Sequence, residues 1–257
     1  MTFTPFRVLR AARALWTRDR AVLLPLTGLF LFVPQWAILL LVPEVPAMVE
    51  AADAEAAMTA WSAAISSWFA ANALSYLVAG LLSQFGTLAV ATLYLGSGAG
   101  SAGTAMARAA AVFGRYLLAL MLVWIPLVLA GSVLLSAGGF GLVAAVGPLL
   151  YLLALALLML VGPAIAAGES GAMRAVTRVW AITRGHRLQL VALAAILAIA
   201  AQVVAAVLLG IAHSLRAGGM ENPVATALLD AGAAGASWAS SVGLALSGVV
   251  AYRALVR

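Results

Sequence analysis

Glu169-Ser-Gly-Ala-Met-Arg-Ala-Val-Thr-Arg-Val-Trp-Ala-Ile-Thr-Arg-Gly-His-Arg187 is the stretch on which the reading of this chain turns. It is a basic island between two long apolar runs. At about 100° per residue, Met173, Val176, Val179, Trp180 and Thr183 share one face of a helix, with Arg174 and Arg178 nearly opposite. That pattern predicts a helix over 171–184 lying on a membrane surface, its apolar side in lipid and its arginines among headgroups. Ser170 is the expected N-cap, Glu169 suits the positive N-terminal end, and Gly185 can stop the helix after Arg184.

The composition around this island names the solvent. Of 257 residues, 65% are hydrophobic and 9% charged, whereas a soluble domain is about 45–50% apolar and about 25% charged. The chain therefore reads as an integral membrane protein without a soluble domain. Its formal charge of +6 comes from arginine alone, since no lysine occurs. A nucleic-acid partner would need those charges on a water-facing patch, but they sit at the ends of apolar runs. Anionic lipid is the partner this placement implies. The absence of cysteine excludes disulfides and thiolate ligands. Alanine richness with arginine in place of lysine suggests a bacterium with a GC-rich genome, hence a bacterial inner (cytoplasmic) membrane.

Six spans are predicted, at about 21–42, 68–95, 116–135, 142–161, 188–212 and 231–252. The first is too long for the about 7–15 residue core of a signal peptide and is expected to be retained. Short interfacial helices are expected at 4–17, started by Thr4-Pro5, at about 104–114, and at 171–184. In the first, Arg7, Arg10 and Arg13 take one side, and Val8, Ala12, Leu15 and Trp16 the other. Each such elbow feeds a span out and a span back, so the expected fold is all-α: three helical hairpins with a tight turn at Ala137-Gly138-Gly139-Phe140-Gly141. Trp61 and Trp68 are expected at a membrane interface. Thirteen of the fourteen arginines then fall on the side of both termini and only Arg216 opposite, facing Glu44, Glu50, Asp53, Glu55 and Glu221. The positive-inside rule places both termini in the cytoplasm.

Candidate chemistry is sparse. Gly98-Ala99-Gly100-Ser101-Ala102-Gly103 spells a dinucleotide fingerprint, but an apolar helix precedes it where a strand is required. Without lysine there is no Walker A loop and no Schiff base. His186 and His213 bracket span 5, about 40 Å apart along a helix, too far to form a dyad or share a metal. Gly235-Ala236-Ser237 lacks a histidine partner, and only Asp230, at a span edge, approaches an intramembrane carboxylate. No buried ionisable residue is expected within a span, and no cofactor or metal. Gln35, Gln84 and Gln202 fall near mid-depth, as a polar cluster lining a cavity or as bonds between helices. Pro34, Pro126 and Pro148 sit inside spans, where broken helices can line a transport path. Ala231, Gly235, Ala239, Gly243, Ser247 and Ala251 recur every fourth residue, a small face for close helix packing.

The segment from Pro163 to about Leu193 resembles the membrane domain attached to some bacterial glycerophosphodiester phosphodiesterases, and equally the related stand-alone inner-membrane proteins. Glu169, Ala175, Arg178, Trp180, Thr183, Arg184 and Gly185 carry the likeness. In the fused proteins the resemblance places catalysis in a separate soluble barrel, which has no counterpart here, so it implies a fold rather than a reaction. The expected function is a non-enzymatic membrane protein, a lipid-contacting scaffold or partner in lipid or envelope metabolism. Arg108, Arg115, Arg174, Arg178, Arg184 and Arg187 are its expected headgroup contacts. The alternatives are a transporter or permease subunit for an apolar or lipid-like solute, and a membrane-embedded lipid enzyme.

Overall fold

The computed structural model describes residues 4–47, 54–96, 101–217 and 222–256, and among them every regular element is a helix. In order these are α1 (Pro5–Thr27), a π-helical turn (Gly28–Phe32), α2 (Val33–Leu41), α3 (Ala54–Leu95), α4 (Ala102–Ala166), α5 (Ala172–Ile182), α6 (Arg187–Ala217) and α7 (Pro223–Val256). Glu50, Asp53, Glu221, Arg257 and residues 98–100 of the glycine-rich linker lie outside the described residues, as does the side chain of Glu55. Six stretches are long and apolar enough to cross a membrane: Pro5–Leu41, Ala56–Leu95, Ala102–Ala137, Gly141–Ala166, Arg187–Arg216 and Pro223–Val256. Helices are what such runs must form in lipid, where only an internal ladder can satisfy the backbone. Large side chains such as Leu129, Val133, Ile199 and Val207 are exposed. In water they would form a sticky surface, but facing lipid they cost nothing.

The breaks in these helices carry the topology. In α1 the backbone leaves helical geometry at Asp19 (φ −110°, ψ 17°), between the predicted surface segment and the first span. By contrast α4 passes Gly114 without interruption and departs from helical geometry only at Gly139. The predicted separate helix at 104–114 is thus the start of a longer one: Gly114 could stop a helix but keeps helical geometry here, and the chain continues through Arg115 and Tyr116. Ser101 caps it, its hydroxyl accepting from the Thr104 N–H at 3.2 Å. Gly139, at φ 62°, is where α4 turns back on itself. The rings of Trp124 and Tyr151 are 6.2 Å apart, whereas 27 residues of straight helix would separate them by about 40 Å.

The π turn follows from Pro34. Its ring would press on the Phe30 carbonyl in a regular helix, and one wide turn relieves the clash. The space is filled rather than opened: a Cβ added at Gly86 would lie 2.6 Å from the Phe30 Cβ, and Phe30 and Phe85 meet at 5.1 Å. On this side the break is packed against α3.

Contacts between helices define two ends. At the first, the Tyr94 hydroxyl donates to Asp19 at 2.8 Å and Arg253 donates to the Tyr94 carbonyl. Arg115 reaches the Ser170 carbonyl at 3.5 Å at that end too. At the other, Trp61 and Trp68 donate to the carbonyls of Pro46 and Pro43 at 2.9 and 3.0 Å, holding the chain between α2 and α3. Bulky buried residues, including Leu88, Tyr116, Leu160, Leu190, Leu193 and Val249, gather toward the first end. Residues 121–150, around the reversal of α4, contain no buried side chain among those described. The bundle is tightly packed at its arginine-rich end and loose at the other.

Candidate functional site

At the arginine-rich end, α5 is docked by one side and bare on the other. Ala175 and Val179 are buried, and Ala172, Val176 and Ile182 pack on the core beside α4. This differs from the predicted placement of the whole apolar face in lipid. Only Met173 and Trp180, at the margin of that face, remain outside, 60% and 43% exposed. The reason is amphipathicity itself, since a stripe wide enough to cover a core leaves its edge residues at the boundary. The N-cap is Gly171 rather than Ser170, and it makes no side-chain cap. Helix α5 ends at Ile182, with Thr183 buried, and Gly185, at φ 82°, allows the turn into α6.

The arginines of this end divide by what they touch. Arg178 pairs with Glu169 at 3.0 Å, tying α5 to the end of α4. The Arg187 guanidinium lies 3.7 Å from the centre of the Trp180 ring and donates to the Trp180 carbonyl at 3.3 Å. Arg108 lies over Gly96, half-buried. Arg174 and Arg184 are exposed, as are Met173, Trp180 and Leu188.

A second cluster, which sequence reasoning missed, occupies the opposite end. Asp230 is only 3% exposed and lies 3.3 Å from Arg216, which also pairs with Glu44. His213 Nδ1 lies 3.4 Å from the other Glu44 oxygen. These residues line a pocket of about 300 Å³ together with Trp68 and Tyr76. The expectation that no span holds a buried ionisable group is therefore overturned. α7 begins at Pro223, so Asp230 stands two turns inside it, with Arg216 of α6 as its compensating charge. The available signal was a lone arginine facing a lone aspartate across a short loop. Arg216 already serves both carboxylates, so the cluster links α2, α6 and α7 rather than offering a free charge.

The three glutamines differ in their settings. Gln84 accepts from the Tyr116 hydroxyl at 2.9 Å, Gln202 is exposed on α6, and Gln35 is half-buried on α2. No hydrogen bond joins any two of them among the described residues. Gln84 thus serves as a bond between α3 and α4.

The small face of α7 is used unevenly. A Cβ at Gly243 would lie 3.0 Å from Leu197 of α6, whereas one at Gly235 would meet nothing within 4 Å. Ala239 is exposed, and Ser247 is buried with its hydroxyl unpartnered. Ala239, Gly243 and Ser247 form one wall of a groove of about 310 Å³ whose other wall is the first half of α1. Among the glycines of α7 the closest approach falls at Gly248, one residue off the predicted face: a Cβ there would strike the Met159 carbonyl oxygen of α4.

No group of three or more histidine, aspartate or glutamate side chains is placed to hold a metal among the described residues. Comparison with protein families, curated proteins and solved structures finds nothing that matches this chain.

Proposed function

We propose that this is a non-enzymatic, lipid-contacting protein of a bacterial cytoplasmic membrane, acting as a scaffold or partner in lipid or envelope metabolism. One observation carries the proposal. The bare side of α5 and the turn after it carry exposed Arg174 and Arg184 together with exposed Met173 and Trp180, with Leu188 86% exposed just beyond. Cations interleaved with aliphatic and tryptophan surface match the boundary between headgroups and acyl chains. The six spans are read as three hairpins, each entered through an arginine-bearing segment at the cytoplasmic surface, with both termini in the cytoplasm. A reporter fused after Val256 is expected to be active inside the cell, and activity outside would overturn this orientation.

The likeness to the phosphodiesterase-associated membrane domain belongs to the same proposal. Its matching positions act structurally here: Glu169 and Arg178 pair, and Ala175 and Thr183 are buried. Such a motif preserves the seat of α5 rather than a reaction.

The test removes the two exposed cations and leaves the Glu169–Arg178 pair intact. Each arginine near an anionic surface contributes about 1 kcal/mol, so Arg174→Gln with Arg184→Gln should weaken retention of phosphatidylglycerol about thirtyfold. Native mass spectrometry of protein extracted in mild detergent reads this directly, with phosphatidylethanolamine as the neutral control. Equal retention by wild type and double variant would sink α5 as the lipid contact that carries the proposal.

A further inference from the structure

The groove between the first half of α1 and α7 is the strongest unassigned feature of the molecule. Leu9 and Trp16 form one wall, Trp238 and Ala239 the other, and exposed Arg13 stands among the lining residues. Trp16 and Trp238 meet edge to face at 5.7 Å and close one end. Ser247, 0% exposed, lines the same groove with its hydroxyl unpartnered. At 0% exposure that hydroxyl is sealed beneath the floor of the groove, out of reach of an occupant, so the walls and Arg13 are what the groove offers. The groove thus combines apolar walls and one exposed cation in a volume at the lower end of the range for ligand sites.

We propose that this groove is the seat of one anionic phospholipid of the cytoplasmic leaflet. One acyl chain lies between α1 and α7, and the phosphate pairs with Arg13. The occupant follows from the chemistry of the walls. Free phosphate would leave the tryptophan and leucine surface bare, and an uncharged hydrocarbon would leave Arg13 unmet. The small residues of α7 acquire a role here that helix packing does not supply at Ala239, where a larger side chain would fill the space the chain occupies. The proposal deepens the lipid-contacting function above and rests on it.

The probe is phosphatidylglycerol carrying a diazirine in one acyl chain, doped into phosphatidylethanolamine nanodiscs that hold the full chain. Photolabelling is expected on the peptides containing Leu9–Trp16 and Ala239–Ser247. Ala239→Phe, at an exposed position that tolerates the bulk, should abolish labelling there. Arg13→Gln should lower it about fivefold, the effect of one arginine at an anionic surface. A phosphatidylethanolamine probe should label the groove less. Labelling of Ala239→Phe equal to wild type, or no enrichment on these peptides, would overturn the proposal. Arg174 and Arg184 do not line the groove, so the two ideas fail separately. Lipid lost from the α5 double variant while Ala239→Phe still labels normally would sink the groove alone. A labelled groove with full retention by the α5 variant would sink the role of α5 alone.

Discussion

Replacing Arg216 with glutamine is expected to lower the stability of the folded protein by about 3 kcal/mol. The cost lies with Asp230, whose side chain is 5% exposed and whose compensating cation is Arg216 at 3.3 Å. Removing the guanidinium leaves a buried carboxylate that must take up a proton or draw water into the bundle. Packing offers little reserve, because this end holds few buried side chains and the same arginine also anchors Glu44 beyond α2. Glu44→Gln should cost far less, within about 1 kcal/mol, because the Glu44 side chain is 57% exposed and water can replace the partner. Changing both partners together, Arg216→Leu with Asp230→Leu, should recover most of the loss, as buried pairs replaced by apolar groups commonly do. Thermal unfolding of the four proteins in one detergent gives the comparison. Arg216→Gln as stable as wild type, or a double variant worse than Arg216→Gln, would show that the pair does not hold α6 to α7.

The Arg216–Asp230 pair also marks where sequence reasoning stops. Span number and order are legible because they depend on the length of an apolar run, and each run read from the sequence coincides with an observed membrane-length helix. The turn at Gly139 is legible because five residues rich in glycine break two long helical patterns. Interactions between distant elements are not. Asp230 at a span edge looks solvated until α6 brings Arg216 alongside, and the Trp16–Trp238 contact joins residues from opposite ends of the chain. Likewise, the α5 pattern identifies an amphipathic helix but not which solvent takes each side. Period alone cannot distinguish a core from lipid, since both accept valine and alanine.

The second large effect is expected at Gly248. Pro163 has no N–H, so the Met159 carbonyl four residues earlier lacks its usual helical partner and faces α7. The Gly248 backbone fits against that oxygen, and the Pro163 ring stands 3.6 Å from where a Cβ would project. Such close backbone approach allows a Cα–H to serve an oxygen that would otherwise go unmet. Alanine at this position places a methyl group on the carbonyl oxygen, and neither backbone can give way as a flexible side chain would. The helices must part, so Gly248→Ala should cost about 3 kcal/mol, the upper end of the usual range for overpacking. Gly235→Ala supplies the contrast, since nothing lies within 4 Å of its added Cβ. It should leave stability unchanged or raise it by about 0.5–1 kcal/mol through its better helix propensity. A four-residue repeat of small side chains ranks Gly235 above Gly248, whereas the contact geometry reverses that order. Unfolding temperatures that fall for Gly235→Ala and hold for Gly248→Ala would show that α7 packs by its repeating face and would displace the Met159 contact from the core of this fold.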